Sequence, residues 1–206
     1  MKEKIIRLAP ILLIIAIAVL SIILVVNLGR MMFGAGNESS NSNDQAAKES
    51  SIASLLTVEA GRSVKMTVRG PIVANEDARS YTVEVSPSAR SLKTYKGYSE
   101  NIIDEVKYDN SNIAYDEFVN ALNKANMMLG AELKGEADNM RGVCATGHVY
   151  DFAILKNNEV EKHLWTSTCA GSKGSLQANT KQLQNLFISQ IPDNEKIVND
   201  LGLKNL

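Results

Sequence analysis

"GHVYDFAILKNNEVEKHLWTSTCAGSKGSL", Gly147 to Leu176, is where strand, turn, cysteine and helix signals meet in one run. Two stretches rich in β-branched and aromatic residues, near 147–155 and 160–168, flank Lys156-Asn157-Asn158-Glu159. Such runs around a short polar turn predict an antiparallel hairpin. The stretch then changes character. "STCAGSKGS" brings hydroxyls, a cysteine and two glycines around a lysine, the materials of a nucleophile loop or a phosphate cradle. It lacks the G-x-x-x-x-G-K-[ST] spacing that wraps phosphates, and no G-x-S-x-G elbow occurs in the chain. The reading that remains is a glycine-permitted bend from the second strand into a helix.

Cys144, His148, His163 and Cys169 alternate as C-x3-H-x14-H-x5-C, which raises a zinc site. Extended backbone would hold Cys144 and His148 about 13 Å apart. With metal bonds of about 2.3 Å to sulfur and 2.0 Å to nitrogen, the two cannot share one ion. They meet only if Ala145-Thr146-Gly147 folds back as a turn. A disulfide between Cys144 and Cys169 fits better. A two-residue loop at Lys156-Asn157 sets Cys144 opposite Cys169, and a four-residue loop leaves them near neighbours. The first register also sets Glu161 and Glu159 opposite Phe152 and Ile154, on the cysteine face. Shifting it by one residue sorts the faces but turns the cysteines apart, and a β-bulge reconciles the two demands. The expectation is therefore a disulfide, with no metal and no cofactor.

Upstream, "SVKMTVRGP" alternates cleanly, with Val64, Met66 and Val68 on one face and Lys65, Thr67 and Arg69 on the other. "RSYTVEVSPSARSLKTYKGY" predicts two more strands around "SPSARS", with Tyr81, Val83 and Val85 facing one way and Pro87 at the first central turn position. "DNSNIAYDEFVNALNKANMMLG" has helical periodicity, a cap among Asn110, Ser111 and Asn112, and Gly130 as its expected stop. Leu176, Leu183, Leu186, Phe187 and Ile191 predict a second helix ending at Pro192, capped by Ser175 or Asn179. "SIASLLTV", from Ser51, is too short to assign to helix or strand. The sum is an α+β domain over residues 52–206, a small antiparallel sheet with about two helices packed on it.

The N-terminal part is of another kind. Leu8 to Gly29 carries no charge, and as a helix its 22 residues reach about 33 Å, enough to cross a bilayer core of about 30 Å. The run exceeds the apolar length of a cleaved signal peptide, so residues 8–29 read as an uncleaved transmembrane helix. Lys2, Lys4 and Arg7 precede it, which keeps residues 1–7 in the cytoplasm and places the rest outside the plasma membrane. Residues 30–51, small and polar, read as a flexible stalk about 20–25 Å in root-mean-square reach.

Residues 35–206 hold 18 Lys and Arg against 22 Asp and Glu, which gives no reason to expect nucleic acid as a partner. The charge is uneven: residues 62–96 carry seven basic and three acidic side chains, residues 97–161 five and twelve. The chain offers two routes to catalysis. A Cys/His nucleophile needs a reduced, activated thiol. The adjacent carboxylates Glu76-Asp77, Asp104-Glu105 and Asp116-Glu117 point apart as sequence neighbours do. A non-enzymatic surface module, binding an envelope protein or wall polymer, therefore leads over an envelope hydrolase. Its candidate recognition surface is a sheet face bearing Tyr81, Tyr95, Tyr98 and Trp165.

The strings "VRGPIVANEDARSYTVEVSP", "LNKANMM", "RGVCATGHVYDF" and "LWTSTCAGSKGS" together resemble an uncharacterised family of single-pass, extracytoplasmic proteins from candidate-phylum bacteria with reduced genomes. The likeness covers most of residues 55–192. It implies a bacterial envelope location and an intact anchor, and it carries over no functional residue. A pilin-like chain would have a processing Gly before its apolar helix and a Glu early within it, and this one has neither.

Overall fold

A computed structural model describes residues 41–192. The expected tail at 1–7, the transmembrane span at 8–29, the start of the stalk, and the apolar Ile197, Val198 and Leu201 lie outside the described residues. Among the described residues no helix is long and apolar enough to cross a membrane.

Six antiparallel strands form one sheet in the order β4-β3-β2-β1-β5-β6. They are β1 (Arg62–Arg69), β2 (Arg79–Val85), β3 (Ala89–Lys96), β4 (Asn101–Asp109), β5 (Val149–Lys156) and β6 (Glu159–Ser167). Helix α1 (Asn41–Leu56) precedes the sheet, α2 (Asn112–Lys124) connects β4 to β5, and α3 (Thr180–Ile188) follows β6. β1 lies in the middle, paired with β2 on one side and β5 on the other. Its alternation puts Val64, Met66 and Val68 on one face, all fully buried. Tyr81, Val83, Val85, Leu92, Phe152, Ile154 and Leu164 continue that face, and Tyr115, Phe118 and Leu122 of α2 pack on it with Leu183 and Phe187 of α3. The Phe118 and Phe187 rings meet edge to face at 5.3 Å. This is the expected α+β architecture.

Helix ends follow their capping chemistry. Ser111 caps α2, accepting the Ala114 N–H, and Asn179 caps α3, accepting the Gln182 N–H. α2 stops earlier than the expected Gly130. Asn126 adopts a φ of 60°, its N–H donates to the Asn123 carbonyl, and the Met127 N–H reaches back to Leu122. Asparagine thus supplies the left-handed C-terminal cap, a position it tolerates better than most residues.

Three further differences have physical causes. The segment expected to be a stalk to residue 51 is helical from Asn41, and the compact unit begins at Asp44. Its Gln-Ala-Ala-Lys-Glu stretch favours helix, and its C-terminal end buries Ser51 and Leu55. The sequence pattern assigns no element to Asn101–Asp109, yet β4 lies there as an exposed edge strand. The β5–β6 turn is Asn157-Asn158, one residue later than the two-residue loop considered above. Both asparagines have positive φ, 53° and 66°, as a two-residue hairpin turn requires. Ile154 pairs with Lys162 and Leu155 with Val160, so Glu161 is the extra residue of a bulge. The bulge frees Glu161 from the face conflict.

Glu161 turns instead to Arg62, a buried cation that also bonds Glu59 Oε1 (3.0 Å) and Ser54 Oγ (2.8 Å). One guanidinium thereby ties the end of α1 to β1 and β6. Replacing it by methionine, which keeps the aliphatic bulk, takes the cation from Glu161 and leaves Glu59 with Lys156 alone at 3.8 Å. Arg62→Met is expected to cost about 1–3 kcal/mol in urea unfolding, with faster amide exchange at the end of α1. Unchanged stability would remove this role.

Candidate functional site

The face of the sheet away from the helices divides into a sealed part and an open part. Over the β5–β6 end, Trp165 and Val149 are buried with Cys144 against Leu133, Met140 and Val143. The connection from Gly130 to His148 therefore acts as a cover. The remainder faces water as a cleft of about 380 Å³.

Strand alternation supplies the lining of the cleft. Lys65, Thr67 and Arg69 of β1 stand beside Thr82 and Glu84 of β2 and Ser91, Lys93 and Tyr95 of β3. Glu100, Met140 and Asp151 complete the walls. Three cations, three carboxylates and four hydroxyls, one of them phenolic, thus share one concavity. Several are held in place: Ser63 Oγ donates to Glu84 (2.7 Å), Arg69 donates to the Met140 carbonyl (3.2 Å), and Lys93 pairs with Glu105 (3.3 Å). The Thr67 and Thr82 hydroxyls lie 3.3 Å apart across the strand pair. Lys65 makes no ion pair among the described residues.

At the boundary between cover and cleft, His163 sits between two carboxylates. Its Nδ1 lies 2.9 Å from Asp151 Oδ1 and its Nε2 3.0 Å from Asp138 Oδ2. The other oxygen of Asp138 accepts the Trp165 indole N–H at 3.1 Å. The hydrogen bond to Asp151 does most to raise the pKa of His163, to about 9, against an opposing contribution from burial. A ring protonated on both nitrogens and donating from both is a clasp between cover and sheet. It has no lone pair left to act as a base. His148 has its pKa lowered by burial, and its backbone N–H donates to Thr168 Oγ1 (2.9 Å). Among the described residues no three His, Cys, Asp or Glu side chains gather to hold a metal ion.

The cysteines are joined. Cys144 and Cys169 Sγ lie 2.10 Å apart, with Cα atoms at 5.3 Å. The pairing expected from sequence holds, but the hairpin register does not produce it. Chain reversal does: the Gly147 N–H closes a turn on the Cys144 carbonyl (3.3 Å), and Cys144 adopts a φ of 56°. Ala145-Thr146-Gly147 folds back after all and delivers a sulfur to Cys169. Gly147 is required there, because a Cβ would come within 2.2 Å of Thr168 Oγ1 and 2.7 Å of the Cys144 sulfur. The loop after Cys169 also has a structural task. Ser175 and Leu176 N–H both donate to the Trp165 carbonyl at 2.9 Å, and Ser175 Oγ accepts the Trp165 N–H at 3.0 Å.

The four aromatics proposed as a recognition surface are not brought together. Tyr81 belongs to the helix-covered face with Val83 and Val85, fully buried, its hydroxyl accepting from Gln184 Nε2 (3.1 Å). Trp165 has the right parity for the open face but lies under the cover. Tyr95 alone lines the cleft. Tyr98 is exposed in the β3–β4 turn, where its hydroxyl donates to the Val73 carbonyl (2.6 Å). Sequence reading missed Asp151, Glu100 and the Asp138–His163 contact. The polar half of the β1 alternation was the visible signal for the rest. No family model, curated protein or solved structure matches the chain.

The clasp makes stability depend on pH. A histidine whose pKa rises on folding, from 6.5 to about 9, stabilises fully below 6.5 and loses that contribution as pH climbs through about 9. The melting-temperature gap between the native chain and His163→Gln is therefore expected to be widest near pH 6 and to shrink by pH 10. A gap that does not change with pH sinks the clasp. For the disulfide, the Cys144→Ser/Cys169→Ser chain is expected to lose about 3.5 kcal/mol in the chain-entropy account of a loop this long. Denaturant titration of both forms measures it.

Proposed function

We propose that this chain is a membrane-anchored, extracytoplasmic module of the bacterial envelope. It binds a polar wall polymer on the open face of its sheet and catalyses no reaction on it. The observation that carries the reading is the cleft lining: hydroxyls, both signs of charge and one tyrosine ring, on a rigid sheet. A wall glycan with peptide stems presents hydroxyls, carboxylates and amines along its length, and such a lining meets each with a complement. Tyr95 offers an apolar ring face for a sugar while its hydroxyl stays wet. The basic excess in residues 62–96 reaches the cleft through Lys65, Arg69 and Lys93.

The proposed location rests on Leu8 to Gly29 and on the charges that precede it. A cysteine pair at bonding distance accords with an oxidising compartment. The hydrolase alternative draws no support from the Cys/His set, since the sulfurs are paired and both His163 nitrogens are engaged.

The test is calorimetric titration of the detergent-solubilised full chain with soluble wall fragments (disaccharide-peptides released by muramidase digestion). Saturable binding is expected. Tyr95→Ala and Lys65→Glu should each weaken it about tenfold, on the order of one lost stacking or charge contact. Binding that ignores both substitutions, or no binding to any fragment, would count against the cleft. Cleavage of the fragments by the pure chain would revive the enzyme.

A further inference from the structure

We propose that the outer edge of β4 pairs with the same edge of a second copy of this chain, giving an antiparallel two-fold dimer centred on Val106. The two edges of the sheet differ. At the β6 end three outward backbone groups, at His163 and Trp165, are taken. The His163 N–H donates to Glu132 Oε1 (3.1 Å), the Trp165 N–H donates to Ser175 Oγ, and the Trp165 carbonyl accepts two N–H groups from the loop after Cys169. At the other end β4 is outermost, nine residues long and without proline. Ile102 and Ile103 are 56% and 52% exposed, and the Glu105 N–H finds only the side chain of its neighbour, Asp104 Oδ1 (2.9 Å). An unpaired strand of this length is a template for another strand.

Charge chooses the occupant. Centring the two-fold on Val106 sets Glu105 opposite Lys107 of the second copy, and Lys107 opposite its Glu105. It also sets Asp104 opposite Tyr108, where a carboxylate meets a phenol, and Val106 against itself. Moving the centre one residue either way is penalised, because it sets Glu105 against Glu105 or Lys107 against Lys107. Opposed like charges destabilise a strand pair, and opposed unlike charges support it. An even register also keeps the helix-covered faces of both copies on one side, with Val106 meeting Val106 there. Glu105 and Lys107 are both exposed in the single chain, where Glu105 also pairs with Lys93 of β3 (3.3 Å). A two-fold contact between identical edges closes at two copies.

Sedimentation equilibrium of the full chain in density-matched detergent tests this. The native chain is expected to dimerise reversibly. Glu105→Lys and Lys107→Glu should each weaken the dimer by about tenfold or more, since both cross-strand pairs turn repulsive. Mixing the two variants should restore association to near the native level, because every opposed position in the mixed pair again carries unlike charges. A contact made only by the expected membrane helix would not respond to these substitutions. Three results overturn the proposal: a native chain monomeric to about 100 µM, single variants that dimerise like the native chain, or correctly folded variants that do not associate when mixed. If a charge variant loses its native circular dichroism, Val106→Cys reads the same contact. Oxidation should then yield a covalent dimer through that position, and failure to do so also overturns the pairing.

Discussion

Among the described residues the α-helices pack on one face of this sheet and not on the other, and that asymmetry constrains every central strand. A residue on the helix side of β1, β2 or β5 must be apolar or find a partner there, as the Tyr81 hydroxyl finds Gln184. Its neighbours in the chain must tolerate water or meet the cover. Val64, Met66 and Val68 take the first role, and Lys65, Thr67 and Arg69 take the second. The cleft is the second half of the same alternation that builds the core. A ligand on those side chains would rest on strands whose reverse faces are buried in the core.

The segment from Gly130 to His148 modifies this plan at one end. It has little regular structure, a single 3-10 turn at Gly135–Asp138, and it still stays on the sheet. Three different attachments hold it: the cysteine pair, the Asp138 contacts to His163 and Trp165, and the Arg69 bond to the Met140 carbonyl. The attachments converge on β6 and on the wall of the cleft. Asp151 belongs to both, bonding His163 with one oxygen while lining the cavity. The shape of the cleft is thus coupled to how firmly the cover is fastened.

How much could be read in advance depended on whether a residue's fate was local. Tyr81, Val83 and Val85 share a face by strand geometry alone, and the same alternation should have removed Tyr81 from any exposed surface. Asn179 and Ser111 are caps because their side chains bond N–H groups two or three residues on, which sequence shows directly. β4 gave no such signal. An edge strand with neither face fully buried has no need to alternate, and "NIIDEVKYD" does not. Trp165 was misplaced for the opposite reason: its parity was legible, but the cover that buries it comes from elsewhere in the chain. Asp138, Asp151 and His163 have no common periodicity, so only the folded backbone brings them together. The Cys144–Cys169 pairing was anticipated through a strand register, whereas a left-handed cysteine and a close glycine achieve it.

The position of that cysteine pair has a consequence for the chain as a covalent object. The bond spans residues 144 to 169 and encloses β5, its asparagine turn and β6. The turn is exposed, and exposed loop tips are where proteases cut first. A break at Asn157-Asn158 would open the backbone but release nothing, because both fragments would remain linked through sulfur. The carboxy-terminal piece, with α3, would stay attached to the rest of the chain. In the presence of proteases, one hydrolysed peptide bond at this turn would be a scar on the molecule and not the loss of its carboxy-terminal part.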